Sequence, residues 1–553
     1  MKCRISYPKQ GGVRQVAMAN RMIRRALVKK LGCLPVIKEF EDRLGIEGII
    51  DRACPVREEV ANKTHGQIIN LLVANRLTSP RPLYEIVKWA REWAVEEVYD
   101  CRPEFLNDDR LGRALDAIYP KIEELKGAVT WSAIENFGLD AGKLHWDITT
   151  VAFAGRYEEQ DQQAPSIEYG HAKDHPELKQ VQTGFAVTED GGIPLWYQAM
   201  DGAAAEVKQV IGAMEGLKQA TRQDTFTLVG DTKLVSQENV TAALKAGLRF
   251  CAPEPASDKL RQEFLSLKPE EFSRLNYASE RENAKPPDQR TVYLGCERSL
   301  TFMLEKGKEG CCLRRLFIIS SEEREACRRN RARQMARAEE ELAKLERLAG
   351  SKWYPTAKEV EAKAAMIVAK RRVKKYYRWQ VDTSNEGIPT FHWQRDEAAL
   401  AREEKLDGMY TILTNLPREQ YELSAVLALY KNQHHSERRF ADFKGPLAVR
   451  PLFLKDNKRI AALLFIVYLA LLIYCLIERQ VRLALAPEGG KMRGLNGNLL
   501  ARPTGRNIFK CFASFAYVLV EDSEGNQFSG PAEPTPVQSR LLALLGMPAR
   551  QPS

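Results

Sequence analysis

The chain has 553 residues, too many for one hydrophobic core, and we expect two to four domains. Its formal net charge of +10 favours a polyanionic partner, although ribosomal and membrane-surface proteins are also basic. The 11 cysteines are scattered without a Cys-x-x-Cys pair, which argues against a zinc ribbon or a disulfide framework and favours a reducing compartment.

Residues 1–130 are predicted to form a mainly helical domain. His65 to Arg76 has the pattern of one helix, and Leu83 to Trp93 that of a second, amphipathic helix. Between them, Ser79 followed by Pro80 predicts a helix start. Two helices joined this closely are typical of a helix-turn-helix, and basic residues lie nearby in the segment 21–30. We therefore expect this domain to recognise DNA ends; an ordinary helical scaffold is the alternative.

Residues 140–255 alternate between strand and helix patterns. A β-branched and aromatic run predicts a strand at 144–153, and a hairpin follows at 181–197. A helix is predicted at 204–221, then a strand at 225–231, a helix capped by Ser236, and a strand at 248–252. Three strands, helix, strand, helix, strand is the element order expected of the first half of an RNase H-like core.

Two aspartates in this region are candidate metal ligands. Asp147 lies within the apolar first strand, where a charge is costly unless it is paired or binds a metal. Asp231 lies at the C-terminal tip of the fourth strand, the place where open α/β sheets position their sites. Either residue alone would more often be a turn or a cap.

A third acid lies on the segment Tyr430–Lys444, which has no glycine or proline and is predicted to be one helix. At about 100° per residue, Tyr430, Gln433, Glu437 and Lys444 fall on one face. Such a stripe offers a metal-binding carboxylate beside groups suited to a phosphodiester, although an arbitrary stripe of this kind is usually a solvated helix face.

Asp231 and Glu437 are 206 residues apart, so a domain must be inserted between them. Residues 256–405 are predicted to form this inserted α+β domain, with strands near 291–296 and 313–320 and charged helices at 321–350 and 356–378. The second helix is predicted to end in interleaved basic and aromatic residues. Its candidate DNA contacts are Arg371, Arg372, Lys374 and Lys375.

Residues 406–482 are predicted to complete the core, and residues 483–553 to form a smaller, partly flexible tail. An apolar run of 18 residues, Ile460 to Ile477, meets the minimum length of a membrane span. Because it begins only 23 residues after Glu437, the sequence favours a helix buried in the core over a span.

Taken together, these motifs resemble DDE transposases of bacterial insertion sequences. The resemblance lies in Asp-x-Thr-Thr at Asp147, the strand-end Asp231, and the spacing Tyr430-(2)-Gln433-(3)-Glu437-(6)-Lys444. It is to the branch with a Tyr-Arg-Glu-Lys signature around its catalytic glutamate. Further agreement comes from 169–174 with Gln180, the Gly191-Gly192 turn, and Asp407-Gly408 followed by Thr414-Asn415. Gln433 stands where the family usually has arginine, which removes a guanidinium able to hold phosphate with two hydrogen bonds.

The resemblance implies an α/β fold whose RNase H-like mixed-sheet core is interrupted by the inserted domain. It implies hydrolysis at the element ends followed by strand transfer of the 3′-hydroxyl into target DNA. Two Mg²⁺ or Mn²⁺ ions would be held by Asp147, Asp231 and Glu437. The DNA partners would be the terminal inverted repeats and the target, contacted by Tyr430, Gln433 and Lys444, with a homodimer in the DNA-bound synaptic complex.

Two other functions fit the same residues. An RNase H-like nuclease would cut with the same metal site but would not join strands. An inactive, repurposed DNA-binding protein would need no metal chemistry at all. The expected location is the bacterial cytoplasm, associated with the nucleoid, because the residues from Met1 to Pro8 lack the apolar core of a signal peptide.

Overall fold

The computed structural model describes residues 23–56, 62–158, 160–170, 175–304, 310–445, 447, 454–494, 497–500, 502–523 and 525–547. The chain divides into two compact units. Unit 1 comprises residues up to Arg249 and from Asn432 onward, and unit 2 comprises Phe250–Lys431. The protein is α/β, with mixed and antiparallel sheets and many helices.

The first part of unit 1 contains a strand, a run of helices, and then strands alternating with helices. In chain order these elements are β1 (Ile23–Lys30), α1 (Leu34–Leu44), α2 (Ile46–Ala53), α3 (His65–Thr78), α4 (Ile86–Glu92), α5 (Val95–Tyr99), α6 (Asp108–Ile118), α7 (Ile122–Phe137), β2 (Lys143–Phe153), β3 (Lys179–Thr188), β4 (Pro194–Met200), α8 (Glu206–Thr221), β5 (Thr227–Val229) and α9 (Gln237–Lys245).

Unit 2 contains an antiparallel sheet, two long helices and a hairpin. Its elements are β6 (Arg249–Pro253, beginning at the unit boundary), α10 (Asp258–Ser266), β7 (Ser273–Leu275), α11 (Glu280–Asn283), β8 (Tyr293–Met303), β9 (Gly310–Ser320), α12 (Ser321–Leu348), α13 (Ala357–Lys370), β10 (Tyr377–Thr383), β11 (Pro389–Arg395), α14 (Glu397–Lys405), β12 (Met409–Thr414) and α15 (Leu423–Lys431).

The chain then returns to unit 1 with helices and short strands. These are α16 (His434–Lys444), α17 (Asn457–Leu485), β13 (Met492–Arg493), β14 (Leu499–Leu500), α18 (Gly505–Cys511), β15 (Ala516–Asp522), β16 (Gln527–Pro531) and α19 (Pro536–Leu544).

The sheet of unit 1 has the order β4-β3-β2-β5 and is mixed, because β2 runs antiparallel to β3 but parallel to β5. The elements predicted from 140 to 255 occur in the predicted order. Ser236 caps α9 as predicted, its hydroxyl accepting a hydrogen bond from the backbone N–H of Asn239 at 3.1 Å.

Helix α17 lies at the centre of unit 1, where β4 and the helices α1, α3, α6, α16, α18 and α19 surround it. Within the described residues it is the one helix long and apolar enough to cross a membrane, and its apolar stretch is entirely buried. A helix that is apolar on all sides requires such an enclosure, and the packing agrees with the core helix predicted from the sequence.

Over its described residues, the segment predicted as a tail at 483–553 forms strands and helices that belong to unit 1. Strand β15 pairs with β1 on one side and with β16 on the other. Helices α18 and α19 pack on α17, with Phe512 and Leu541 fully buried. The sequence did not anticipate these elements, because the pairing partner of β15 lies almost 500 residues away, where local composition carries no signal.

The connection between α3 and α4 differs from the prediction. The capping box of Thr64 and Gln67 starts α3 as expected of a helix there, but Ser79 and Pro80 do not begin the next helix. The amide of Asn75 donates to the backbone oxygen of Ser79 at 2.9 Å and accepts from the N–H of Arg81 at 3.1 Å. These bonds hold the connector outside helical geometry, and a short 3₁₀ turn at Leu83 precedes α4.

In unit 2, strands β6, β12, β9, β8 and β7 form an antiparallel sheet in that order. Helices α12 and α13 pack against the β10–β11 hairpin around a core that includes Leu342, Ile367 and Phe391. The helix predicted at 356–378 ends at Lys370, because Arg372 adopts a left-handed backbone with φ of 57°. The aromatic run that follows pairs as β10, which suits residues of high strand propensity.

Candidate active site

Asp147 and Asp231 occupy equivalent positions on neighbouring parallel strands. In the β2–β5 ladder, His145 pairs with Val229. Each aspartate lies two residues beyond that pair, Asp147 inside β2 and Asp231 just after β5. Parallel strands point the same way, so both carboxylates belong to the same end of the ladder.

Helix α16 packs against this part of the sheet through aromatic side chains. Asp147 pairs directly with Phe185 of β3, and directly opposed residues of antiparallel strands share one face. The ring of Phe185 lies 5.7 Å from that of Phe440 and 4.9 Å from that of Phe443, both on α16. Glu437 lies one helical turn before Phe440, and α16 therefore carries it over the face that holds Asp147.

The neighbouring acids affect the pKa of Asp147. The pKa of Asp147 is raised to about 7, mainly by burial and also by the negative charges of Asp231, Glu437 and Glu206, while the backbone N–H of Ile148 opposes the shift. That N–H donates to the Asp147 carboxylate at 2.8 Å. Four carboxylates from β2, the end of β5, α8 and α16 thus contribute to one electrostatic environment, and Glu206 was not anticipated from the sequence.

The segment predicted as one helix from Tyr430 to Lys444 is two helices, because α15 ends at Lys431 and α16 begins at His434. Tertiary hydrogen bonds hold the break. The amide of Gln433 donates to the backbone oxygen of Trp146 at 3.1 Å, and the amide of Asn432 donates to the carboxylate of Glu189 at 3.1 Å. No glycine or proline marks this position, and the local sequence therefore did not reveal it.

The break divides the predicted stripe. Tyr430 belongs to unit 2, whereas Gln433, Glu437 and Lys444 belong to unit 1. Glu437 and Lys444 are exposed on α16. Gln433 is partly buried, with its side-chain oxygen 3.4 Å from Nδ1 of His145 in addition to its bond to β2. Contact of Gln433 or Lys444 with a phosphate remains a prediction.

A buried ion-pair cluster anchors α16 and was missed in the sequence. Arg439 and Glu478 of α17 are almost fully buried and 2.9 Å apart. Arg439 also donates to the backbone oxygen of Gly192 at 2.9 Å and to that of Gly191 at 2.5 Å, both in the β3–β4 turn. The only sequence signal was the charge of Glu478 at the end of an apolar run, which is costly to bury without a partner.

Glu478 is the centre of this cluster. Its carboxylate also accepts from Arg438 at 2.7 Å and from the backbone N–H of Gly505 at 2.6 Å, and it pairs with Arg482 at 2.9 Å. Burial alone would raise the pKa of Glu478, but the surrounding arginine charges lower it below its ordinary value. The cluster thus connects α16, α17 and the start of α18, and it holds the helix that carries Glu437.

Two histidines lie beside the acids. The rings of His145 and His435 are 6.4 Å apart in an edge-on arrangement. Burial lowers the pKa of His145 to about 4 and that of His435 to about 3. Both are therefore neutral at physiological pH, and they add polar ring nitrogens, not positive charge, to this region.

The candidate DNA contacts of unit 2 lie in the connection between α13 and β10. Arg371 pairs with Glu341 at 2.6 Å, and Lys375 pairs with Glu403 at 2.6 Å. Arg372 and Lys374 are exposed. Two of the four predicted cations are thus already matched by carboxylates within the unit.

The described side chains form no ready-made metal cage, because no three His, Cys, Asp or Glu residues among them have metal-ligating spacing. Residues 171–174, part of the motif that includes Tyr169 and Gln180, lie outside the described residues. The candidate site therefore consists of carboxylates on β2, after β5 and on α16 that lie close enough for Asp231 and Glu437 to act electrostatically on Asp147.

The chain is similar to one family model and to a solved structure of another protein. A family model described as a domain of unknown function, DUF4277, matches residues 26–125. No curated protein matches the chain. Among solved structures, the chain is similar to a piggyBac transposase synaptic complex with hairpin DNA, at a TM-score of 0.36 and 10% identity, covering 90% of this chain and 83% of that one. These comparisons do not identify the family of the chain.

Proposed function

We propose that the protein is a DDE DNA transposase that cleaves element ends and transfers the 3′-hydroxyl strand into target DNA. The observation that carries this proposal is the equivalent register of Asp147 and Asp231 on β2 and β5, with Glu437 brought over the same face by α16. Three acids far apart in sequence have no structural need to be neighbours. Their mutual repulsion is a cost that a functional site would justify.

The chemistry of the donor set, not its spacing in this structure, suits hard divalent cations. All of its ligating atoms are carboxylate oxygens, which favour Mg²⁺ or Mn²⁺ over zinc. The raised pKa of Asp147 reflects burial and the negative charge gathered around it, which a bound cation would relieve. Asp147, Asp231 and Glu437 would hold the ions; when bound, such ions supply Lewis-acid activation of water or a 3′-hydroxyl and stabilise the leaving oxygen.

The other residues have supporting roles in this proposal. Arg439 and Glu478 hold α16 against the β3–β4 turn and thereby set the position of Glu437. Gln433 fixes the start of α16 to β2, and the exposed Lys444 supplies a point charge for a terminal phosphate at the other end of the helix.

The fold and the matched domain support the same function. The order of β2, β3, β4, α8, β5, α9 and β6 matches the order expected of an RNase H-like core. Phe250–Lys431, which contains the expected inserted domain at 256–405, would be the insertion before the catalytic helix. DUF4277, matched at 26–125, is a domain found in transposase-like proteins. The DNA substrate would be the element's terminal repeats and the target, bound in a synaptic dimer, and the protein would act in the bacterial cytoplasm.

Cleavage of DNA carrying the sequences that flank the coding region tests the proposal. We expect Asp147→Ala, Asp231→Ala and Glu437→Ala each to abolish Mg²⁺-dependent cleavage while still binding the DNA. Glu215→Gln, which removes an exposed carboxylate from α8, is the matched control and should cleave at the wild-type rate. A triad variant that cleaves like wild type would exclude the assigned residue.

A nuclease without strand transfer is the nearest alternative. It shares the metal site, so cleavage alone does not separate the two. Pre-cleaved ends with a free 3′-hydroxyl, incubated with the wild-type protein and supercoiled target, provide the distinction. Joined products support a transposase, whereas cleavage with no joining would support the nuclease, and DNA binding with neither reaction would support a repurposed binding protein.

A further inference from the structure

Unit 2 has a cavity of about 430 Å³ between α12 and the α13–β10 connection. Cations, amides and one thiol line it: Cys327, Asn330, Arg331, Gln334, Lys370, Arg371 and Arg372, with Tyr376, Glu403 and Asp407. The cavity belongs to unit 2, whereas the three acids belong to unit 1. It has no part in the chemistry proposed above.

The carboxylates of the cavity are already matched. Asp407 accepts two hydrogen bonds from Arg331, at 2.7 and 2.6 Å. Glu403 pairs with Lys375 at 2.6 Å and with Arg261 at 2.5 Å. Lys370 and Arg372 are exposed, and no ion pair involves them among the described residues. The cavity is therefore left with an excess of positive charge.

Further cations extend the cavity along α12. Arg333 donates to the side chain of Asn330 at 3.0 Å, which places its guanidinium beside the lining. Arg337, exposed one turn later, continues the same row. A cavity lined by amide and cationic side chains, with a row of further cations beside it on α12, has the chemistry of a phosphodiester backbone site.

We propose that Arg333, Arg337, Lys370 and Arg372 form a DNA-backbone site on unit 2, which we call the α12 groove. The choice of double-stranded DNA as the partner rests on the proposed function. The positive charge of the site does not depend on that function. It revises the contacts expected from the sequence, because Arg371 and Lys375 are engaged by Glu341 and Glu403 while the cations of α12 were not among the candidates. The groove holds the duplex through its phosphates, independently of base sequence.

Cys327 gives the site a built-in probe, because it is exposed and lines the groove. Cys312 of β9 is also exposed but does not line the groove, and it is the internal control. The full chain carrying Asp147→Ala, which prevents cleavage, is treated with iodoacetamide with and without a duplex of arbitrary sequence, and alkylation is followed by mass spectrometry. We expect DNA to slow alkylation of Cys327 several-fold and to leave Cys312 unchanged.

A charge-matched pair of double variants tests the cations. Arg333→Gln with Arg337→Gln removes the rim, whereas Lys344→Gln with Arg347→Gln removes the same charge from the exposed C-terminal part of the same helix. The rim variant should bind duplex DNA about three- to tenfold more weakly at moderate salt, with a salt dependence reduced by about one phosphate contact or more. The control should match wild type on both measures.

The outcomes separate this inference from the proposed function. Cleavage of element ends without protection of Cys327 would overturn the groove and leave the transposase proposal standing. If DNA protects Cys327 but the wild-type protein never cleaves element ends, the groove would stand and the transposase proposal would be overturned. Equal protection by inorganic phosphate alone would make the cavity a small-anion site, and equal losses in the two double variants would show a nonspecific charge effect; either result overturns the inference.

Discussion

Replacing Glu478 by glutamine should destabilise unit 1 strongly at neutral pH. The carboxylate is 1% exposed and accepts from Arg438, Arg439 and the backbone of Gly505, besides pairing with Arg482. Glutamine keeps one acceptor oxygen but turns an N–H₂ group toward donors and leaves buried guanidinium charge without a counter-ion. Breaking a buried pair in this way costs about 3–5 kcal/mol, and we expect a Tm lowered by several degrees or more.

Calorimetry of wild type, Glu478→Gln and an exposed control measures this loss. The control is Glu488→Gln, whose partner Arg540 is 44% exposed, and surface pairs contribute about 0–1 kcal/mol. Adding Arg439→Met to Glu478→Gln should recover part of the loss, because it removes one of the uncompensated charges. A Glu478→Gln protein as stable as the control variant would refute the reasoning.

The same substitution has a defined pH dependence. Because the arginines hold the pKa of Glu478 below its ordinary value of 4.5, its stabilising contribution is complete above that value. The contribution is lost as the pH falls through the lowered folded-state pKa, where the carboxyl group is protonated. The stability gap between wild type and Glu478→Gln should therefore narrow in acid, and a gap that widens on acidification would contradict the assignment.

Three further predictions concern the site and unit 2. Asp147→Asn should raise the Tm of the cation-free protein, because it removes a partly buried charge that Asp231 and Glu437 repel; a lower Tm in calorimetry would argue against their proximity. Gln433→Arg should tighten binding to element ends by restoring a bidentate phosphate donor, and unchanged affinity across a salt titration would count against it. Asp407→Asn should destabilise unit 2 by up to about 3–5 kcal/mol, because Arg331, whose side chain is 9% exposed, keeps only the more distant carboxylate of Glu404 at 3.5 Å. We expect faster limited proteolysis of that unit, and a proteolysis rate equal to that of wild type would exclude this role.

Helices and strands whose residue pattern repeats within the element itself could be predicted from the sequence. The β-branched run around Asp147 forms β2, the short apolar strand before Asp231 forms β5, and the run at 460–477 lies inside α17. In each of these, strand alternation, a cap or continuous apolarity is a local consequence of residue type. The candidate acids could be selected on the same basis, because an acid in or beside a buried strand is conspicuous without any knowledge of its neighbours.

Structural features that depend on contacts with residues far away in the sequence could not be predicted from it. The break at Asn432 and Gln433 is held by hydrogen bonds to Glu189 and Trp146, more than 240 residues earlier in the chain. No residue at the break has an intrinsic preference against helix strong enough to reveal it. The end of α13 at Lys370 likewise depends on the pairing of β10 with β11 and on the core that these strands share with α12.

The sequence by itself therefore determined which acids could act and which elements carry them. The tertiary structure alone decided that Asp147 and Asp231 share a register, that Arg439 and Glu478 anchor the helix of Glu437, and that the cations of α12 border a groove. The physical reason is the range of the interactions. Helix and strand propensities act within a few residues, whereas strand register, buried ion pairs and shared cavities form only when segments hundreds of residues apart meet.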